Sequence, residues 1–158
     1  VTYAQSPHLF RNLGNHRFAL VTKRVGNALQ TPIVARGAAY GDIDNDGDLD
    51  ILISTNSGAA ALFRNEGTTN NYLKLKLIGS KSNHDAIGTR VVVHLSDKNK
   101  QWQQVKSGMS YCSQSELPLT FGLGKITSVP KIEIFWPSGK TQLLQNVAAG
   151  KIISVREE

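Results

Sequence analysis

The hexapeptide Leu9-Phe10-Arg11-Asn12-Leu13-Gly14 returns 53 residues later as Leu62-Phe63-Arg64-Asn65-Glu66-Gly67, with five of six positions identical. Such a recurrence restricts the fold sharply, because repeats at about this spacing belong to solenoids, propellers and other arrays of one supersecondary unit. Leu-Phe suits the apolar end of a strand, and Asn-x-Gly supplies the positive φ of a tight turn. Between the hexamers the sequence predicts four short strands, at 18–22, 35–40, 50–54 and 60–64, punctuated by Gly and Asn. Four short strands per repeat describe one blade of a β-propeller. One blade cannot close a ring, so further blades are expected upstream of Val1 or from other molecules.

After Gly67 the texture changes. A polar linker, Thr68-Thr69-Asn70-Asn71, leads into strand-like alternation at 72–78, 90–95, 102–106, 131–136, 141–144 and 152–156. Turns such as Trp136-Pro137-Ser138-Gly139 separate these runs, and helical periodicity is weak throughout. The expectation is an all-β chain: about one propeller blade over 1–69, then a small β-sandwich or barrel over 70–158.

The most specific chemistry lies in residues 42–50, Asp-Ile-Asp-Asn-Asp-Gly-Asp-Leu-Asp. Carboxylates at loop positions one, three and five can converge on a point, and Gly47 at position six permits the sharp turn. Asp42, Asp44, Asp46 and Asp50 then offer side-chain oxygens, and Asp48 its main-chain carbonyl. Hard oxygen ligands in this number suit Ca²⁺ better than Mg²⁺, and Zn²⁺ would ask for nitrogen or sulfur. Without a cation such a cluster must take up protons or splay apart. An EF-hand needs an acid at position twelve and flanking helices; here position twelve is Ile53, within the apolar run Ile51-Leu52-Ile53.

These five aspartates conceal a basic remainder. The chain's net charge of +6 becomes +11 once residues 42–50 are set aside. Such a surface can attract phosphate, sulfated glycan or anionic lipid. The lysines and arginines are scattered rather than clustered, so nucleic-acid binding is not expected. No apolar run reaches the roughly 20 residues that span a bilayer, and residues 1–10 lack the pattern of a leader, so no membrane insertion is expected. The first residue is not Met, and the chain is expected to be a piece of a longer product. The lone cysteine, Cys112, is expected as a small apolar side chain in a core.

Gly41-Asp42-Ile43-Asp44-Asn45-Asp46-Gly47-Asp48-Leu49-Asp50, followed by an apolar strand and the second hexamer, resembles an FG-GAP or VCBS repeat of the integrin-type propeller class. The remainder resembles the ASPIC/UnbV domain that follows such repeats in relatives of the cartilage acidic protein. Its carriers are the run from Tyr72 to Gly79, Ser82-Asn83 with Ile87-Gly88-Thr89-Arg90-Val91, Gly108 with Ser110-Tyr111, Ser113-Gln114-Ser115, Phe121-Gly122-Leu123-Gly124 and Trp136-Pro137-Ser138-Gly139. The resemblance implies a calcium-bearing propeller ending in a small β domain, in a protein that is secreted, periplasmic or on the cell surface. It implies metal-ligand roles for Asp42, Asp44, Asp46, Asp48 and Asp50. The expected function is a calcium-binding extracellular binding, adhesion or assembly module, with a protein or glycan partner outside the cell or upstream blades of the parent chain. Two alternatives stand beside it: part of a calcium-dependent enzyme of secondary metabolism, and a subunit of an extracellular assembly.

Other candidate chemistry is weaker. Ser110, Ser113 and Ser115, with His84 and Asp85 upstream, invite thought of a serine nucleophile, but no Gly-x-Ser-x-Gly elbow is present. The hydroxyls and the Gln114 amide are expected to satisfy backbone groups at a strand turn. Phe121-Gly122-Leu123-Gly124 lacks the spacing of a nucleotide loop and is expected as a turn. Trp102, Trp136, Tyr111 and Phe135 would form a sugar platform if exposed, and are expected in the core.

Overall fold

Strands carry the architecture in the computed structural model, which describes residues 3–67 and 69–158. Val1 and Thr2, at the start of the stretch read for a leader, and Thr68, from the expected linker, lie outside the described residues. In the first part, β1 (Phe10–Gly14) and β2 (Arg17–Leu20) form an antiparallel hairpin. Two 3-10 turns, Thr22–Arg24 and Ala28–Gln30, then lead to a meander of β3 (Ala35–Gly41), β4 (Asp50–Thr55) and β5 (Ala61–Phe63), with β4 central.

The two hexamers fold alike. Asn12 Oδ1 accepts the Gly14 N–H at 2.8 Å and Asn65 Oδ1 accepts the Gly67 N–H at 3.2 Å. The glycines sit at φ +77° and +79°, a region costly for other residues. The first hexamer lies inside a hairpin, so the strands between the hexamers divide over two sheets: β2 folds back on β1, and β3 to β5 pair among themselves. The first part thus holds five strands divided over two sheets, with the repeat unit offset from the sheet boundary. Shifting β2 by the 53-residue period gives 70–73, where a fourth strand would lie beside β5. Instead β6 (Asn71–Ile78) begins there and leaves for the second part, and β5 stays at a sheet edge.

The second part is a two-layer sandwich. It continues through β7 (Arg90–His94), β8 (Lys100–Gln104), β9 (Leu119–Gly124), β10 (Ser128–Phe135), β11 (Thr141–Ala148) and β12 (Lys151–Arg156). One sheet runs β12-β6-β9, with β12 parallel to β6; the other runs β11-β10-β7-β8. Period-two alternation aims Leu73, Leu75, Leu77 and Phe121 at Val91, Val93, Ile132 and Ile134 in one buried cluster. Of the 17 buried hydrophobic residues described, 15 belong to this cluster. Among the described residues only Leu29 and Ile53 of these lie in the first part, where apolar burial is sparse.

Three expectations are corrected. Phe121-Gly122-Leu123-Gly124 is strand β9, not a turn: Phe121 and Leu123 face the core, Gly122 faces outward, and only Gly124 takes a positive φ. Cys112 is exposed, at positive φ in the turn closed by the Ser110–Ser113 bridge, because this segment packs on an edge strand rather than in the core. Trp136 is core, but Trp102 and Tyr111 are 62% and 70% exposed. Among the described residues no helix is long and apolar enough to cross a membrane.

The sandwich is closed near its last residues. Buried Glu157 accepts the N–H groups of Ser80, Lys81 and Ser82 at 2.9, 2.8 and 2.7 Å, and the hydroxyls of Ser82 and Ser138. Burial alone pushes its carboxyl up; the Ser138 hydroxyl and the N–H groups of Ser82, Ser80 and Lys81 outweigh that and hold it well below the usual carboxylate range. A depressed folded-state pKa gives stability that is complete above the unfolded value of about 4.3 and drains away as pH falls below it. Glu157→Gln is therefore expected to melt clearly below the parent protein at pH 7, with the gap narrowing at pH 3. Thermal denaturation at the two pH values checks this, and a gap independent of pH would count against it.

Candidate metal centre

The Gly41–Asp50 pair closes the β3–β4 hairpin around the acidic loop. Asn45 at φ +60° and Gly47 at φ +94° reverse the chain within it. Gly47 has a second reason to be glycine: the ring of Tyr72, on β6, lies against its α-carbon where a side chain would project. The loop is thus seated on the sandwich.

One carboxylate oxygen each of Asp42, Asp44 and Asp46 lies within 4.8 Å of the others. The Asp42 side chain is buried; its Oδ2 accepts the Gly47 N–H at 3.2 Å and the Lys74 ammonium at 3.1 Å. Its Oδ1 is buried with no hydrogen-bond partner. A buried carboxylate oxygen left unmatched is costly, and a hard cation among the three acids would satisfy it. The donor set and this orphaned oxygen fit Ca²⁺.

Asp48 and Asp50 stand apart from the trio. Asp48 gives its N–H to Asp46 Oδ1 at 2.9 Å, and its side chain abuts Gly67. Buried Asp50 accepts the Asn65 N–H at 2.8 Å and the Ile43 N–H at 3.1 Å. These two bonds, in that order of strength and against the opposing effect of burial, hold its carboxyl below the ordinary value. Asp50 thereby ties both ends of the loop to the second hexamer. Arg64 of that hexamer reaches Asp44 at 2.9 Å.

Lys74 is the residue that pattern reading missed. On the outward side of β6, it bridges Asp42 and, at 2.7 Å, Glu116, and its side chain is only 5% exposed because the loop covers it. Burial pulls the ammonium down, but the hydrogen bonds it donates to Glu116 and Asp42 outweigh that and raise its pKa. Lys74 and Lys76 alternate identically with leucines, so only the neighbour of each side chain separates the buried bridge from the exposed Lys76.

The serine segment also joins the two parts. Ser110 Oγ accepts the Ala38 N–H at 3.2 Å and Ser115 Oγ the Tyr40 N–H at 3.1 Å, while the Glu116 N–H binds the Tyr40 carbonyl at 3.0 Å. Hydroxyls therefore serve the open edge of β3 in place of a strand. His84 sits in an exposed turn, 3.2 Å from Asp85, and among the described residues no serine hydroxyl bonds to it.

A profile for the FG-GAP-like repeat matches residues 1–53, and one for ASPIC and UnbV matches residues 79–158. Similar proteins include cartilage acidic protein 1 of Homo sapiens, 32% identical over 136 residues that make up 84% of this chain and 20% of that protein. The Mus musculus protein of that name is 29% identical, covering 84% and 21%, and the Xenopus tropicalis one 31%, covering 82% and 20%. The chain spans about a fifth of the length of these relatives.

Proposed function

The chain belongs to the ASPIC and UnbV family, and from that footing we propose that it is a calcium-clamped binding or adhesion module working outside the cell. It comprises two units divided near residue 69: FG-GAP-type blade strands and the ASPIC/UnbV sandwich. Ca²⁺ binds in the loop through Asp42, Asp44 and Asp46, with the Asp48 carbonyl and a free lone pair of Asp50 as further oxygens. The observation that carries this is the buried, unpartnered Asp42 Oδ1 beside two other carboxylates. Because Asp42 also holds Lys74, the ion stiffens the seam between blade and sandwich as well as the loop. Relatives named for cartilage favour an extracellular setting. The edge of β5 and the exposed Phe10, Phe18 and Leu62 favour neighbouring blades as one partner.

Calorimetric titration tests the ion. One Ca²⁺ is expected to bind per chain, Mg²⁺ more weakly, and Asp42→Asn or Asp46→Asn is expected to weaken Ca²⁺ by about tenfold or more, ~1.4 kcal/mol. Absence of binding to the parent protein at millimolar Ca²⁺ overturns the reading.

A further inference from the structure

The outer face of the β11-β10-β7-β8 sheet is an ordered array that the calcium loop does not use. Register sets Arg90 between Phe135 and Gln104, Val92 between Glu133 and Trp102, and His94 between Lys131 and Lys100. Their neighbours Val91, Val93, Ile132 and Ile134 enter the core, so these side chains share the opposite face. Trp102, 62% exposed on the edge strand, walls a groove of about 270 Å³ whose lining includes Arg90, His94, Lys100, Glu133 and Phe135.

The charges on this face are unevenly matched. Glu133 is already engaged, with Lys131 at 2.8 Å and His94 Nε2 at 2.6 Å. Arg90 lies over the Phe135 ring at 4.7 Å, and among the described residues neither Arg90 nor Lys100 has a carboxylate partner. Residues 70–158 hold 12 Lys and Arg against 6 Asp and Glu, whereas residues 1–69 hold 6 of each, so the whole net charge of +6 belongs to this half. An anionic ligand is thus drawn to the half that carries the groove.

The geometry points to this face as a binding site for an acidic oligosaccharide, one bearing carboxylate or sulfate groups. Trp102 offers an indole face for stacking on the apolar side of a sugar ring. Arg90 and Lys100 flank it, each two residues away along the strands, roughly 7 Å at about 3.3 Å per residue. They meet acidic groups on the rings to either side, the arginine as a planar two-pronged donor. Glu133, held by His94 and Lys131, accepts a sugar hydroxyl. Nucleic acid would ask for a longer basic track than two unpaired cations. A protein interface favours a centre depleted of charge, whereas the centre here is the Glu133 ion network. The site rests on the reading of the chain as a binding module, but on none of the loop aspartates.

Three hexasaccharides test it on the full chain saturated with Ca²⁺ at about 0.15 M salt: a heparin-derived one, a polygalacturonate and neutral cellohexaose. Saturable binding of one or both acidic probes is expected, with a change in tryptophan fluorescence, since Trp102 is exposed and Trp136 is buried. Which acidic probe binds distinguishes sulfate from carboxylate. Trp102→Ala, and Arg90→Gln with Lys100→Gln, should each weaken binding tenfold or more while the melting temperature holds. Asp42→Asn should bind Ca²⁺ about tenfold or more weakly and keep the saccharide, which separates failure of this site from failure of the calcium reading. Binding that survives Trp102→Ala and simply fades with salt, preference for nucleic acid or protein over saccharide, or no binding of either acidic probe overturns the proposal.

Discussion

EDTA is expected to lower the melting temperature of the protein by roughly 5–11 °C relative to the same protein at a hundredfold excess of Ca²⁺ over its Kd. The figure follows from the ~2.7 kcal/mol that such an excess contributes and the roughly 2–4 °C per kcal/mol typical of chains of this size. The cause is local. Three carboxylates within 4.8 Å of one another repel, and among the described residues only Arg64 and Lys74 form ion pairs with them. Added salt can screen the exposed Asp44 and Asp46, but it reaches the buried Asp42 poorly, so sodium chloride should not substitute for Ca²⁺. Asp42→Ala removes one ligand and the buried part of the repulsion, and its melting temperature should respond to EDTA far less than the parent's. Equal melting of the parent protein in Ca²⁺ and EDTA would sink the clamp. Hydrogen exchange sharpens the test: chelation should first expose the amides of β3 and β4, where the core is thinnest, before those of the sandwich.

What the sequence disclosed and what it hid divide by distance along the chain. The aspartate spacing, Gly47 at the reversal and the Asn-x-Gly turns are local, and each was legible because a few adjacent residues determine it. The sandwich strands were legible for the same reason, from apolar alternation such as Leu73, Leu75 and Leu77. β9 escaped because two of its six residues are glycine, which reads as punctuation even where Phe121 and Leu123 keep strand period. The offset of the blade was hidden because the hexamer marks a turn and does not say which strands pair across it. The N–H groups that cradle Glu157 lie 75 to 77 residues from it, and the Lys74 bridge to Asp42 spans 32. No periodicity reports on contacts of that kind. Cys112 and Trp102 show the converse error: residue types usually buried stand exposed where a segment packs on an edge or a sheet face is left open.

Lys74→Met is expected to destabilise metal-free protein by about 3–5 kcal/mol, because it strands two buried or half-buried carboxylates, Asp42 and Glu116, without their shared cation. The loss should be smaller in Ca²⁺. The ion takes over the charge of Asp42, and the ammonium that competed for Oδ2 is gone, so Ca²⁺ should also bind more tightly. Adding Glu116→Leu removes the second stranded charge, and replacing members of a buried ion pair by apolar groups is often neutral or better. The pair Lys74→Met and Glu116→Leu should therefore melt near the parent protein in Ca²⁺ yet well below it in EDTA, where Asp42 alone remains unmatched. This pattern separates two roles that a single substitution confuses. If Lys74 only filled space between β6 and the loop, methionine would replace it adequately and every variant would show the same EDTA shift. If it is the counter-charge of the seam, the shift widens whenever the lysine is lost, and a double-mutant cycle between Lys74 and Glu116 returns coupling in EDTA. Identical shifts across the parent, single and double variants would remove Lys74 from the calcium linkage.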